Sequence, residues 1–117
     1  NECTASDNYK DKVLKAKDTS TMITGNSTGH PVRVLKNKFA KRLKKMEDEN
    51  LPPEEFERLG AGALKKAVVD GDVDNGSVMA GQIAGLVSER QSAKEILLDI
   101  VCGCEKIIGK MTDEFSG

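Results

Sequence analysis

Apolar positions recur along this chain mostly at helical spacing. The longest stripe is Ile96, Leu97, Ile100, Val101, Cys104, Ile107, Ile108 and Met111, and Ser92-Ala-Lys-Glu95 ahead of it is a capping box. A last helix is predicted there, with Cys104 buried in the stripe and a frayed tail after Met111. Val32, Leu35, Phe39, Leu43 and Met46 stand three and four apart, which predicts one amphipathic helix from Val32 to Asn50 with Pro31 in its first turn. Pro52-Pro53 ends it. A short helix then starts at Pro53 or Glu54, carries two glutamates in its first turn and stops at Gly60. Gly62 to Asp70 reads as another, with Leu64, Ala67 and Val68 inward. Near the start, Ser6 or Asp7 caps a helix from about Asn8 to Lys17, with Tyr9 and Val13 on its apolar side.

Two stretches break the helical pattern. Thr19-Ser-Thr-Met-Ile-Thr24 is rich in β-branched residues and predicts a strand. A lone strand leaves backbone groups unpaired, so its partner is expected elsewhere in a larger protein, with Gly25 to Gly29 as loop. The second stretch runs from Gly71 to Val87. A polar loop leads into Ser77-Val-Met-Ala-Gly-Gln-Ile-Ala-Gly-Leu-Val87, read as a helix of small residues. Each helical glycine costs about 1 kcal/mol relative to alanine, so Gly81 and Gly85 imply close approach by another backbone or a flat ligand. Free N–H groups near Ser77 to Met79 and the amide of Gln82 are candidate ligand contacts. Met79 is a candidate flexible wall for an apolar substrate, and a buried Gln82 would require a hydrogen-bond partner.

Several local signals have a plainer reading. Asp70, Asp72 and Asp74 match the first three ligand positions of a calcium loop. The sixth position falls on Asn75 and the twelfth on Gly81, which cannot chelate. A turn leading into the next element accounts for them better. The lysines and arginines between Arg33 and Lys45 surround an apolar stripe and are followed by Glu47, Asp48 and Glu49, as on a solvated helix face. His30 between Gly29 and Pro31 suits a loop-fixing role. Cys102-Gly-Cys104 lacks the partners of a zinc site.

Composition narrows the class. The chain has 117 residues, a net charge of -1, 3% aromatic residues and no Trp. That balance gives no field and no stacking surface for nucleic acid. Three cysteines, two of them only two positions apart, do not make a disulfide framework, and a reducing, cytoplasmic setting follows. No apolar run approaches the ~20 residues of a membrane span, and the first residues are not a signal peptide. The chain opens on Asn1, as expected of a processed product or a piece of a longer protein.

Gly60 to Val87 resembles the C-terminal region of the FMN-dependent enoyl-acyl-carrier-protein reductase II family, relatives of the nitronate monooxygenases. Gly29-His-Pro-Val-Arg-Val-Leu-Lys-Asn37 and Tyr9-Lys-Asp-Lys-Val-Leu-Lys-Ala-Lys17 resemble it in the same order. The resemblance implies an α-rich C-terminal part, with one or two short strands, of a (β/α)8 TIM-barrel flavoprotein. It implies a loop and helix following the last barrel strand at residues 1–18, a lid-like insertion at 19–60, and C-terminal helices at 61–117. Segment 71–87 would face flavin and substrate. Ala80, Gly81 and Gln82 would approach FMN, Met79 and Ser77 would line the acyl-substrate pocket, and Arg33 and Asn37 would order the insertion.

The family's catalytic histidine and flavin-phosphate glycines lie upstream of the region matched, so no residue here is assigned a catalytic role. NADH or NADPH would reduce the flavin, and the substrate would be a trans-2-enoyl thioester, carrier-bound or free, in fatty-acid elongation. The implied partners are the rest of the barrel and a second copy in a homodimer. The isolated chain is expected to be inactive and prone to self-association. Two other readings stay open: part of a nitronate monooxygenase, and a non-catalytic helical domain that binds a partner.

Overall fold

The computed structural model describes residues 2–115. They divide into two compact units, residues 4–89 and residues 2–3 with 90–115.

The larger unit is organised by a hairpin. Strand β1 (Thr21–Thr24) pairs antiparallel with β2 (Val32–Leu35), with Thr21 opposite Leu35 and Thr24 opposite Val32. The partner expected in a distant part of a larger protein is therefore eight residues on. The connection closes through the His30 N–H, which donates to the Gly25 carbonyl at 3.2 Å. Gly25 sits at φ +86°, and a Cβ there would lie 2.4 Å from the His30 carbonyl oxygen, so the turn admits no side chain at that position. The buried Glu47 carboxylate accepts from the Gly25 N–H at 2.6 Å and ties the turn to the helix that follows. His30 itself is exposed.

The predicted helix over 32–50 is corrected to a strand followed by a helix, α2 (Lys38–Asp48). Asn37 decides the break. Its Oδ1 accepts from the Ala40 N–H at 2.7 Å, a helix cap. Its Nδ2 donates to the carbonyls of Val73 and Gly76, each at 2.8 Å. Phe39 and Met46 are buried on α2, as their spacing predicts.

Helix α3 (Pro53–Gly60) has the predicted bounds. Helix α4 (Ala63–Val68) buries Ala63 and Ala67, whereas Leu64, expected inward, is exposed. Helix α1 (Asp7–Leu14) is capped by Ser6, whose Oγ accepts from the Tyr9 N–H. The same hydroxyl donates to the Ala67 carbonyl at 3.1 Å and docks α1 on α4.

The segment Ser77 to Val87 is also corrected. It is no continuous helix. Val78 and Ala80 pair with β2: the Leu35 N–H donates to the Val78 carbonyl at 2.8 Å, and the Ala80 N–H to the Arg33 carbonyl at 3.2 Å. Only Gln82–Leu86 coils, as a 3-10 turn. The sheet edge offered by β2 satisfies this backbone, and two glycines make a helix the poorer competitor. Leu35, Val78, Ala67 and Ala84 form the core, with Tyr9, Val13 and Ala80 packed against it.

The smaller unit is helix α5 (Ala93–Phe115) with the residues that cap it. Ser92 and Glu95 form the predicted box. The Ser92 N–H donates to Glu95 Oε2 at 2.6 Å, and the Glu95 N–H to Ser92 Oγ at 3.2 Å. The bond from the Ser92 backbone N–H is the main cause holding the Glu95 carboxyl below its ordinary value, with the Ser92 side chain adding to it. Glu2 accepts from the Ala93 N–H at 2.9 Å. The helix runs past Met111 to Phe115, so the predicted fraying does not begin there. No side chain on α5 is buried, and Cys104, expected to be so, is exposed. No helix among the described residues is long and apolar enough to cross a membrane.

Candidate functional site

Residues 77–80 follow the two-residue period of a strand, and this sorts the candidate site residues. Val34 and Met79 face each other across an isolated bridge. The hydrogen bonds are made by the flanking residues, so the two form a non-hydrogen-bonded pair, with the backbone groups of Met79 directed away from β2. Val78 and Ala80 turn toward the core. Ser77 and Met79 turn to the other face, where they join Thr24, Val32, Phe39, Leu43 and Phe56 around a cleft of about 390 Å³. The structure thus brings together the two residues expected to contact substrate. Met79 is 42% exposed.

Two residues not singled out by sequence reasoning for this site hold that strand. The Tyr9 hydroxyl, seventy positions earlier, donates to the Met79 carbonyl at 2.6 Å. Asn37 fixes the loop before the strand through its two carbonyl contacts. Sequence spacing alone assigned Tyr9 to an apolar helix side, and its half-buried ring does pack on the core. A phenol on such a face signals a polar partner, and that signal was present. Replacing Tyr9 with Phe is expected to destabilise the protein by about 0.5–1 kcal/mol. Amide exchange at Met79 to Gly81 should rise more than at the β1–β2 pairs.

The loop ahead of the strand is self-contained. Asp72 Oδ1 accepts from the Asn75 backbone N–H and side-chain amide, each at 3.0 Å. The Asn75 side chain is the main cause holding the Asp72 carboxyl below its ordinary value. Asp74 lies within reach of Lys12 and Lys38, at 3.7 and 3.8 Å. These acids are engaged in turn formation and ion pairs.

The expected flavin contacts are placed differently from the substrate pair. Ala80 is half-buried, and Gly81 and Gln82 are exposed. Gln82 therefore does not need the buried partner its pattern suggested. The Ser77 N–H, expected to be free for a ligand, donates to the Ala63 carbonyl at 2.8 Å. No backbone of this chain makes the close approach inferred at Gly81, where a Cβ would meet nothing within 4 Å. A backbone does approach closely at Gly85, as inferred, where a Cβ would lie 2.8 Å from the Lys17 carbonyl carbon, and also at Gly76. Gly85 admits a neighbouring backbone, and Gly81 leaves an open, extended stretch beside Met79.

This arrangement has solved counterparts. FabK from Thermotoga maritima matches with a TM-score of 0.86 and 39% identity, covering 93% of this chain and 34% of that one. A methionine-to-alanine variant of that protein matches with a TM-score of 0.76 and 32% identity, over 96% of this chain and 32% of that one. The nitronate monooxygenase profile matches residues 1–103, and the chain belongs to that family. A probable nitronate monooxygenase from Staphylococcus saprophyticus is 27% identical over 110 residues, 93% of this chain and 30% of the relative. The chain spans about a third of the length of the relatives it matches.

Proposed function

We propose that this chain is part of an FMN-dependent oxidoreductase of the barrel class, an enoyl-acyl-carrier-protein reductase that reduces trans-2-enoyl thioesters with NAD(P)H. The observation that carries the reading is the likeness to FabK over nearly the whole chain, joined to the common face of Ser77 and Met79 beside an apolar cleft.

The residues present fit one edge of a flat cofactor. Gly81 is extended, at φ -71° and ψ 174°, with open space where a Cβ would stand. Gln82 next to it presents an amide to solvent, and Ala80 adds a small side chain. These three would hold FMN along that edge, and the phosphate would be held by residues outside this chain. When bound, FMN supplies hydride transfer. The chain's own part is positional. Met79 walls the substrate side, Ser77 offers a hydroxyl on the same face, and Tyr9 and Asn37 keep the strand in place.

The full-length protein should be yellow and should oxidise NADH in the presence of crotonyl thioesters. A Gly81→Val change should weaken FMN retention about tenfold while leaving the fold intact. Full flavin content with no enoyl reduction would refute the reductase reading. The family profile favours one alternative, a nitronate monooxygenase. Turnover of alkyl nitronates without NADH oxidation would select it.

A further inference from the structure

Asn75 is the one asparagine of this chain that glycine follows. That pair carries its own chemistry. Glycine has no Cβ to hinder approach to its backbone nitrogen, so in a free chain this nitrogen reaches the side-chain carbonyl carbon of the asparagine before it. The Gly76 nitrogen gives up its proton to solvent base and bonds to Asn75 Cγ. The Cγ–Nδ2 bond breaks, and Nδ2 leaves as ammonia with a proton taken from solvent. One water then opens the cyclic imide at either of its carbonyls, and residue 75 becomes aspartate or isoaspartate. Nothing is oxidised or reduced.

The fold opposes each part of this step. Gly76 is buried, and its N–H donates to the Asp72 carbonyl at 2.9 Å, away from solvent base. The Asn75 side chain is held by the Asp72 carboxylate, with Nδ2 donating to Oδ1 and Oδ2, each at 3.0 Å. The Asn75 backbone N–H donates to Oδ1 as well, at 3.0 Å. Nor is the Gly76 backbone free to swing. Its carbonyl accepts from Asn37 Nδ2 at 2.8 Å, and the Ala67 nitrogen lies 2.6 Å from where a Gly76 Cβ would stand. Asn75 itself is exposed, so water and base are at hand once the turn opens.

We propose that Asn75–Gly76 is a site of spontaneous deamidation that the fold keeps closed, with the Asp72 side chain as its latch. Conversion would set a new carboxylate against Asp72, with Asp74 beside it, and would remove the amide that Asp72 holds. Isoaspartate would also route the main chain through the side-chain carbon, just ahead of the strand at residues 77–80. The modified turn therefore loses the contacts that had protected it.

The test uses the full-length protein, held in warm, mildly alkaline buffer with and without unfolding guanidinium chloride. Tryptic peptide 67–90 contains Asn75 as its one asparagine, and mass spectrometry reads its conversion to the acid. Conversion should run at least about tenfold slower in the native protein than in the unfolded one. Asp72→Ala removes all three bonds to Asn75 and should raise the native rate about tenfold. Asp72→Asn keeps the shape but offers a neutral acceptor, and should raise it about threefold. Amide exchange at the β1–β2 pairs shows whether each variant keeps its fold. If Asp72→Ala loses that protection, Asp72→Asn decides. Equal rates in native and unfolded protein, or no conversion in the unfolded protein, would overturn the proposal. A native rate unchanged by the Asp72 substitutions would overturn the latch.

Discussion

Replacing Asn37 with alanine is expected to destabilise the protein by roughly 3–5 kcal/mol. One side chain makes three bonds that nothing nearby replaces. It caps α2 through Ala40 and satisfies the carbonyls of Val73 and Gly76. Loss of a cap costs about 1 kcal/mol, and each carbonyl left buried without a donor costs about 1–3 kcal/mol. Asn37 is itself buried, so water cannot simply take its place. Asn37→Ser separates the contributions, since it keeps a neutral cap acceptor and loses both donated bonds. Its loss should fall between those of the wild type and the alanine variant. Chemical denaturation of the purified proteins measures both, and an alanine variant within about 1 kcal/mol of wild type would show that these bonds are not what holds the loop.

Gly76→Ala should cost roughly 2–3 kcal/mol, whereas Gly81→Ala should fall within about 0.5 kcal/mol of wild type. The two glycines are five positions apart and their surroundings differ. A Cβ at Gly76 would lie 2.6 Å from the Ala67 nitrogen, 2.8 Å from the Ala67 Cβ and 2.8 Å from the Asp72 carbonyl oxygen. Two of those atoms are backbone, so α4 and the 70–76 loop must move apart. At Gly81 the space is open and φ is negative. Equal costs at both positions would mean that the spacing between α4 and the loop is not set by this contact. The pair also separates folding from the proposed cofactor contact: Gly76 acts on stability, and under the proposed function Gly81, when enlarged to valine, acts on flavin retention.

The elements legible in the sequence were those that carry their own ends. Helix α3 has proline at its start and glycine at its stop, and α5 has a capping box; both form where local chemistry puts them. The hairpin was not legible because Val32 and Leu35 happen to fall in helical step with Phe39 and Leu43. Local spacing cannot tell a strand that precedes a helix from the helix's own first turn. Asn37 between the two, with β-branched runs on both sides of a glycine-bounded loop, was the available signal. The strand at Val78 to Ala80 depends on the edge of β2, a long-range partner no local pattern encodes. Of the candidate site, Ser77 and Met79 were legible as a pair and share one face in the structure, and the cleft behind them was not legible, since its walls come from five separate elements.

The alternating faces of residues 77–80 restrict how this stretch can change length. Insertion or deletion of one residue between Gly76 and Gly81 would exchange its two sides, sending Met79 into the core and Val78 into the cleft. A change of two residues would preserve the sides and only slide the strand along β2. Homologous segments should therefore tolerate length differences here in even steps, and a drift of one residue would have to be absorbed by a bulge.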